Sequence, residues 1–173
     1  MPFSLPTPWP TDAETAVALQ RQLRAHINTT DQLPDTVRYV AGVDAGFEQQ
    51  GTITRAAVVV LSFPDLNPVD EALVRCPTTF PYVPGLLSFR EIPAVLQSLN
   101  QIQIQPDMIL CDGQGIAHPR RLGIATHLGL ITDCPTIGVA KSRLTGTHAE
   151  VPNEKGQWVP LMDGAERIGA VLR

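Results

Sequence analysis

Between residues 37 and 80, three apolar, β-branched runs follow one another with only short turns between them, and that succession leaves few folds open. Residues 37–47 are rich in Val, Tyr and Gly, and Gln49-Gln50-Gly51 reads as a hairpin turn. Residues 54–63, which include Ala56-Ala57-Val58-Val59-Val60-Leu61, read as a buried strand. After the turn Pro64-Asp65-Leu66-Asn67-Pro68, a third strand covers residues 69–80. Connections this short predict antiparallel pairing. The pattern then changes. Pro81-Tyr82-Val83-Pro84-Gly85 is too proline-rich for either regular state, and a helix follows to about Asn100. Ser88-Phe89-Arg90-Glu91 offers it a cap, and Pro93 predicts a kink or a later start. A short strand at residues 108–111 comes next, then a helix over residues 120–130 with Pro119 at its first position. A strand at 136–140, an irregular polar stretch at 145–157 and a strand at 167–172 complete the chain. Three antiparallel strands followed by α/β alternation define the class: α/β, a mixed sheet flanked by helices.

Upstream, Pro2, Pro6, Pro8 and Pro10 make residues 1–10 an extended arm. Thr11-Asp12-Ala13-Glu14 has the form of a capping box. Behind it, Ala13, Ala16, Leu19, Leu23 and Ile27 recur at helical spacing, with Arg21, Gln22 and Arg24 on the other face. No repeat or linker marks a second unit, so residues 1–173 read as one domain. With 13 Lys and Arg against 17 Asp and Glu, the chain has no general basic coat, which leaves room only for a local basic groove. No apolar run approaches the roughly 18 residues of a membrane span. The opening Met1-Pro-Phe-Ser-Leu-Pro-Thr-Pro-Trp-Pro10 lacks the charged and apolar regions of a secretory signal. The three cysteines (Cys76, Cys111, Cys134) show no Cys-x-x-Cys spacing, so the expected compartment is the reduced cytoplasm.

The informative carboxylates lie where carboxylates are unfavourable. Asp44 sits inside Val40-Ala-Gly-Val-Asp44-Ala-Gly-Phe47, Asp112 ends Met108-Ile-Leu-Cys111, and Glu91 lies near the front of the helix between them. Any one of them could be a turn residue, a cap or a partner for arginine. If the strands carrying Asp44 and Asp112 are neighbours, the two approach each other with Glu91 overhead, and carboxylates packed that closely need a cation. Hard oxygen donors without His or Cys at zinc spacing favour Mg²⁺. Such a centre places divalent ions against a scissile phosphate. Lys141, just past the strand at 136–140, either supplies further positive charge there or is simply a solvated strand-end lysine.

These residues also resemble a known family. The match includes Val40-Ala-Gly-Val-Asp44, Pro81-Tyr-Val-Pro-Gly-Leu-Leu-Ser-Phe-Arg-Glu91 and Asp112-Gly-Gln-Gly-Ile-Ala-His118-Pro-Arg120. It continues through Gly123-Ile-Ala-Thr-His-Leu-Gly129 and Thr136-Ile-Gly-Val-Ala-Lys141-Ser. Five blocks, in order, are similar to endonuclease V, the deoxyinosine 3′ endonuclease. The resemblance implies a ribonuclease H-like fold. It implies metal binding by Asp44, Asp112 and Glu91, with Lys141 assisting at the phosphate. It also implies Mg²⁺ or Mn²⁺ as cofactor, and DNA containing deaminated bases as partner. The implied reaction is hydrolysis of the second phosphodiester bond 3′ to the lesion, leaving a 3′-hydroxyl and a 5′-phosphate. Pro81, Tyr82, Val83 and Pro84 match the family's wedge, with Tyr82 stacking where the base leaves the helix. Gly85, Leu87, Gly113 and Ile124 align with positions lining the base pocket, several through main-chain atoms.

Independent physics supports that assignment. Hypoxanthine exchanges an amino group for a carbonyl, which main-chain N–H and C=O groups can read, and a mispaired base is cheaper to flip out. The prolines around Tyr82 stiffen the wedge. His118, Arg120 and Arg90 are expected phosphate contacts, each with a purely structural alternative. Cys111, His127 and Trp158 are expected to pack. Family members continue several tens of residues further, so the resemblance implies a fold incomplete at its C-terminus. It leaves open two other readings: an inosine-binding relative without turnover, and an inosine-specific endoribonuclease.

Overall fold

The computed structural model describes residues 2–173. Its main sheet contains β1 (Tyr39–Glu48), β2 (Ile53–Ser62), β3 (Pro68–Pro77), β4 (Met108–Asp112) and β5 (Thr136–Val139). The spatial order is β3-β2-β1-β4-β5. β1, β2 and β3 form the antiparallel meander expected from their short turns, and β4 and β5 run parallel to β1. The β1–β2 turn is tight because Gln49, Gln50 and Gly51 all take left-handed backbone angles, with φ of 49°, 58° and 87°.

Three helices, α1 (Ala13–Leu23), α2 (Leu87–Leu99) and α3 (Ile124–Thr132), complete the main body. α2 packs on β1, β2 and β3, and α3 packs on β4, β5 and α2, so the two share one sheet face. The core lies between: Ala41, Val43, Ala56, Val58, Val60, Ile109 and Cys111 meet Ile92, Val95, Leu96, Leu99, Ala125 and Leu128. Strand alternation sends Leu73, Ile137 and Val139 to the opposite face, where each is about half exposed. α1 stands apart on a smaller core of Ala16, Phe80, Leu86 and Phe89.

α2 begins at Leu87, ahead of Pro93, and runs unbroken through it. Proline lacks the N–H that the Phe89 carbonyl would receive one turn earlier. The Trp9 indole fills that gap, its Nε1 donating to the Phe89 oxygen at 3.2 Å. The arm carrying Trp9 is tied down further along: Phe3 N donates to Asn100 Oδ1 at 2.7 Å, and Asn100 Nδ2 donates to Phe3 O at 2.8 Å. The proline-rich arm therefore straps α2 and completes its hydrogen bonding.

Other boundaries move for local reasons. Asp12, not Thr11, caps α1; its carboxylate accepts from Thr15 N at 2.9 Å and Thr15 Oγ1 at 2.8 Å. Leu86, which has no capping side chain, precedes α2, so Ser88 lies inside that helix rather than capping it. The helix expected from Arg120 starts only at Ile124, because Arg121 is left-handed at φ 61° and Gly123 is extended. Pro119 is thus a turn residue. Beyond β5, residues 158–163 are a strand that Pro160 disguised: β6 (Trp158–Asp163) pairs antiparallel with β7 (Glu166–Leu172) as a separate two-stranded sheet. Trp158 is 53% exposed there rather than packed. The hairpin is held to the main body by Arg121, whose Nη2 lies 2.7 Å from both Asp163 Oδ2 and Glu166 Oε2.

Candidate active site

Asp44 and Asp112 meet because of register. Val43 of β1 pairs with Cys111 of β4 in parallel, and both are buried toward the helices. The next residue on each strand therefore turns to the other face, side by side where β4 ends. Glu91 reaches the same rim from α2 and is only 6% exposed. Burial, with the negative charges of Asp44 and then Asp112 adding to it, pushes its carboxyl from the ordinary 4.5 up to about 8. Lys141, exposed beyond β5, places Nζ 2.5 Å from Asp112 Oδ2. That hydrogen bond and the Asp112 charge raise its ammonium above the ordinary lysine range.

The donor set is all oxygen, which suits Mg²⁺ or Mn²⁺ and does not suit zinc. The three carboxylates lie toward one rim, but the expected gathering around one ion is not seen in their contacts. Among the described residues, no three His, Cys, Asp or Glu side chains stand close enough to clasp an ion together. Asp112 is turned to Lys141, and Asp44 Oδ1 accepts from the following backbone N–H at 2.8 Å. In chemistry the residues fit a hard divalent cation: they are acidic, mutually repelling and partly exposed.

The proline-rich loop stands beside this rim. Phe80 and Leu86, each 2% exposed, anchor its two ends, and burying such side chains contributes about 1.5–3 kcal/mol each. Between them Val83 packs on the smaller core, Pro81 and Pro84 are exposed, and Tyr82 projects at 72% exposure. A solvent-facing ring on a stiff, well-anchored loop is the geometry expected of a wedge. Gly85 closes the loop at φ 78°, where a Cβ would lie 2.8 Å from Arg120 Nη2.

Beneath Gly85 lies a brace that sequence reading missed. The Gly85 carbonyl accepts from Gln20 Nε2 at 3.1 Å, His118 Nε2 at 3.0 Å and Arg120 Nη2 at 2.9 Å. Gln20 Nε2 also donates to Leu122 O at 3.1 Å, and its Oε1 accepts from Arg120 Nε. His118 Nδ1 accepts from Arg120 N at 3.2 Å, which assigns the Nε2–H tautomer. Burial and the Arg120 charge hold His118 down at about 4, so it is neutral at pH 7. His118 and Arg120 are therefore committed to the loop rather than turned out to phosphate, and the Gly85 carbonyl is turned inward rather than offered to a base. A signal for Gln20 existed: it falls four residues after Ala16, on the apolar stripe of α1.

Of the remaining pocket residues, Gly113 and Ile124 adjoin; a Cβ on Gly113 would lie 2.6 Å from Ile124 Cγ2, and its φ of 147° adds to the demand for glycine. Leu87 is 39% exposed at the start of α2. Arg90 is partly buried, donating from Nη2 to Gly51 O at 3.0 Å, so it too is turned inward. Cys111 packs as expected, and burial pushes its thiol up to about 12. His127 is fully buried, donating to or accepting from Ser88 Oγ at 3.0 Å and stacking on Trp9. All three cysteines are free, and among the described residues no helix is long and apolar enough to cross a membrane.

A β3-β2-β1-β4-β5 sheet, with carboxylates on the adjacent strands β1 and β4 and a third on the helix between β3 and β4, has the ribonuclease H-like fold. Residues 21–173 match the family model described as Endonuclease V. An endonuclease V of Trichormus variabilis is 62% identical over 168 residues, which cover 97% of this chain and 76% of the relative. The crystal structure of endonuclease V from Streptomyces avermitilis superimposes with a TM-score of 0.90 at 41% identity, covering all of this chain and 76% of that one. Ciona intestinalis endonuclease V, in complex with a 24mer DNA containing an inosine followed by a ribo-adenosine, matches at TM-score 0.70 and 32% identity. That match covers 78% of this chain and 59% of the Ciona chain. The chain belongs to the endonuclease V family, a family of nucleases.

Proposed function

We propose that this chain is a DNA repair endonuclease that hydrolyses the second phosphodiester bond on the 3′ side of deoxyinosine, leaving a 3′-hydroxyl and a 5′-phosphate. The observation that carries the reading is Glu91, raised to about 8 first by burial and then by the charges of Asp44 and Asp112 at one sheet rim. Such mutual repulsion is unfavourable in the free protein and is relieved by a divalent cation. Bound Mg²⁺ or Mn²⁺ would supply positive charge at the scissile phosphate and a more acidic attacking water. Asp44, Asp112 and Glu91 would hold it, two from neighbouring strands and one from α2. The strand ladder fixes the spacing of Asp44 and Asp112, so little reorganisation is needed as charge develops. The exposed Lys141 ammonium is free to move from Asp112 to a phosphate oxygen. Tyr82 would occupy the gap left by the flipped base, where aromatic stacking contributes about 1–3 kcal/mol per base. The inosine-containing DNA of the Ciona complex supports this substrate class.

The ribo-adenosine after that inosine gives an RNA substrate an observation of its own, so the test carries both. Purified chain is incubated with end-labelled DNA or RNA containing one inosine, with Mg²⁺ or with chelator, and the cut is mapped. A nick directly after the nucleotide that follows inosine, in the Mg²⁺ lane only, is expected. Binding without product at any Mg²⁺ or Mn²⁺ concentration overturns the catalytic reading, and cleavage of RNA alone reassigns the substrate.

A further inference from the structure

Arg90 is not placed like a phosphate ligand. Its guanidinium carbon lies 4.2 Å from the ring centroid of Phe47 and 6.0 Å from that of Tyr82. Its Nη2 donates to the carbonyl of Gly51 at 3.0 Å, and its Nε is buried without a hydrogen-bond partner. One side chain thus joins three separate pieces: the turn closing β1 and β2, an aromatic residue near the end of β1, and the wedge loop. Phe47 and Tyr82 are 38% and 72% exposed, so each ring keeps a surface for a ligand. A planar guanidinium can lie against rings and still direct one N–H at a carbonyl, which an ammonium cannot do at the same time. Arg90 also immediately precedes Glu91 on α2, so whatever it positions is held in fixed relation to the carboxylate rim.

We propose that Arg90 is a positioning residue that sets Phe47 and Tyr82 as one aromatic platform, and that Phe47 is a second stacking residue for the bases beside the lesion. This rests on the inosine-DNA reading above and extends its binding site from the wedge to the β1–β2 hairpin. Two rings from two elements, coupled through one cation, resist displacement by a base stack better than a lone tyrosine on a loop. Stacking on such a surface is indifferent to sequence, because every base has a π-face. The platform therefore contributes to opening the strand, while the lesion is read elsewhere.

The test uses the full chain, Ca²⁺ without Mg²⁺, and a duplex with one inosine flanked by 2-aminopurine, whose fluorescence rises when it unstacks. Arg90→Lys and Phe47→Leu should each lose most of that rise and about tenfold of the preference for inosine over adenine. The double variant should be no worse than either single one, and Phe47→Tyr should keep the signal. The salt slope of binding, read on Arg90→Gln because Arg90→Lys keeps the charge, should stay at the wild-type value. A slope reduced by about 0.9, with the fluorescence rise intact, would make Arg90 a phosphate contact and overturn the proposal. Additive losses would overturn it too. If Arg90→Lys does not stay folded at the assay temperature, Phe47→Leu, which alters a partly solvent-facing ring, decides alone. Wild-type chain with no preference for inosine removes the functional reading and the platform together. Wild-type preference that both variants retain removes the platform only.

Discussion

At the sheet rim, burial and then the charges of Asp44 and Asp112 raise Glu91 to about 8, with Lys141 paired to Asp112. Under the wedge loop, Gln20, His118 and Arg120 converge on the single carbonyl of Gly85. Both regions gather polar groups, and they do so with opposite results. The brace is a closed set of donors and acceptors, and a satisfied buried network adds rigidity. The rim sets two carboxylates beside a third that burial and their charges keep protonated up to about pH 8, which on the proposed reading a divalent cation would relieve. On the proposed reading, a wedge would draw on the first kind of chemistry and a scissile phosphate on the second, and the chain keeps the two in distinct clusters.

The largest effect expected from breaking this contrast is on catalysis. Asp112→Asn or Asp44→Asn should lower metal-dependent nicking by more than about a hundredfold, since even outer-sphere partners of a metal are worth 10–100-fold. The thermal midpoint should hardly move, because each change removes a repelling charge from a partly exposed position. A midpoint that collapses along with activity would show that these aspartates are structural.

Glu91→Gln sharpens the electrostatic half. The folded protein holds the Glu91 proton up to about pH 8, whereas an unfolded chain releases it near 4.5. Wild-type stability should therefore decline as pH rises from about 4.5 to 8 and level off above that, by a few kcal/mol in all. In Glu91→Gln that part of the slope should vanish and cleavage should be lost. Urea titrations at pH 5, 6.5 and 8 measure it, and parallel curves for the two proteins would contradict the burial of Glu91 among like charges.

Gln20→Leu tests the brace. It leaves Arg120 Nε without its acceptor and removes a donor from Gly85, so urea unfolding should show a loss of roughly 2–3 kcal/mol. Unchanged stability would mean the cluster is not a brace. The smallest effect belongs to Trp9→Phe, which keeps a ring beside Phe89 and His127 but leaves the Phe89 carbonyl without a donor. About 1 kcal/mol is expected, read from the denaturant midpoint.

The contrast also explains what was legible in the sequence. Asp44 and Asp112 could be read because aspartate is rare in the middle or end of an apolar strand, and a short-turn meander followed by a crossover makes their strands neighbours. The prolines around Tyr82 marked an irregular loop, and only the family resemblance singled out its ring. The brace could not be read as a unit, since Gln20, Gly85 and His118 lie far apart in the chain and no local pattern couples them. Arg90 and Arg120 illustrate a further limit: an arginine's type does not say whether its fork faces solvent or a carbonyl. Residues 158–163 hid as a strand because Pro160 is a poor strand residue, tolerated here in a two-stranded hairpin with free edges. Pro93 predicted a kink or a later start because the compensating Trp9 lies 80 residues before the Phe89 carbonyl that it satisfies.

The claim most in need of test is that Asp44, Glu91 and Asp112 act as one cation site although their oxygens stand apart in the free chain. Calorimetric titration of the intact protein with Mn²⁺, at pH 6 and pH 8, addresses it directly. Saturable binding that is tighter at pH 8, where the Glu91 proton competes less, and at least about tenfold weaker in Asp112→Asn is the expected result. Equal Mn²⁺ affinity in wild type, Asp44→Asn and Asp112→Asn would contradict it.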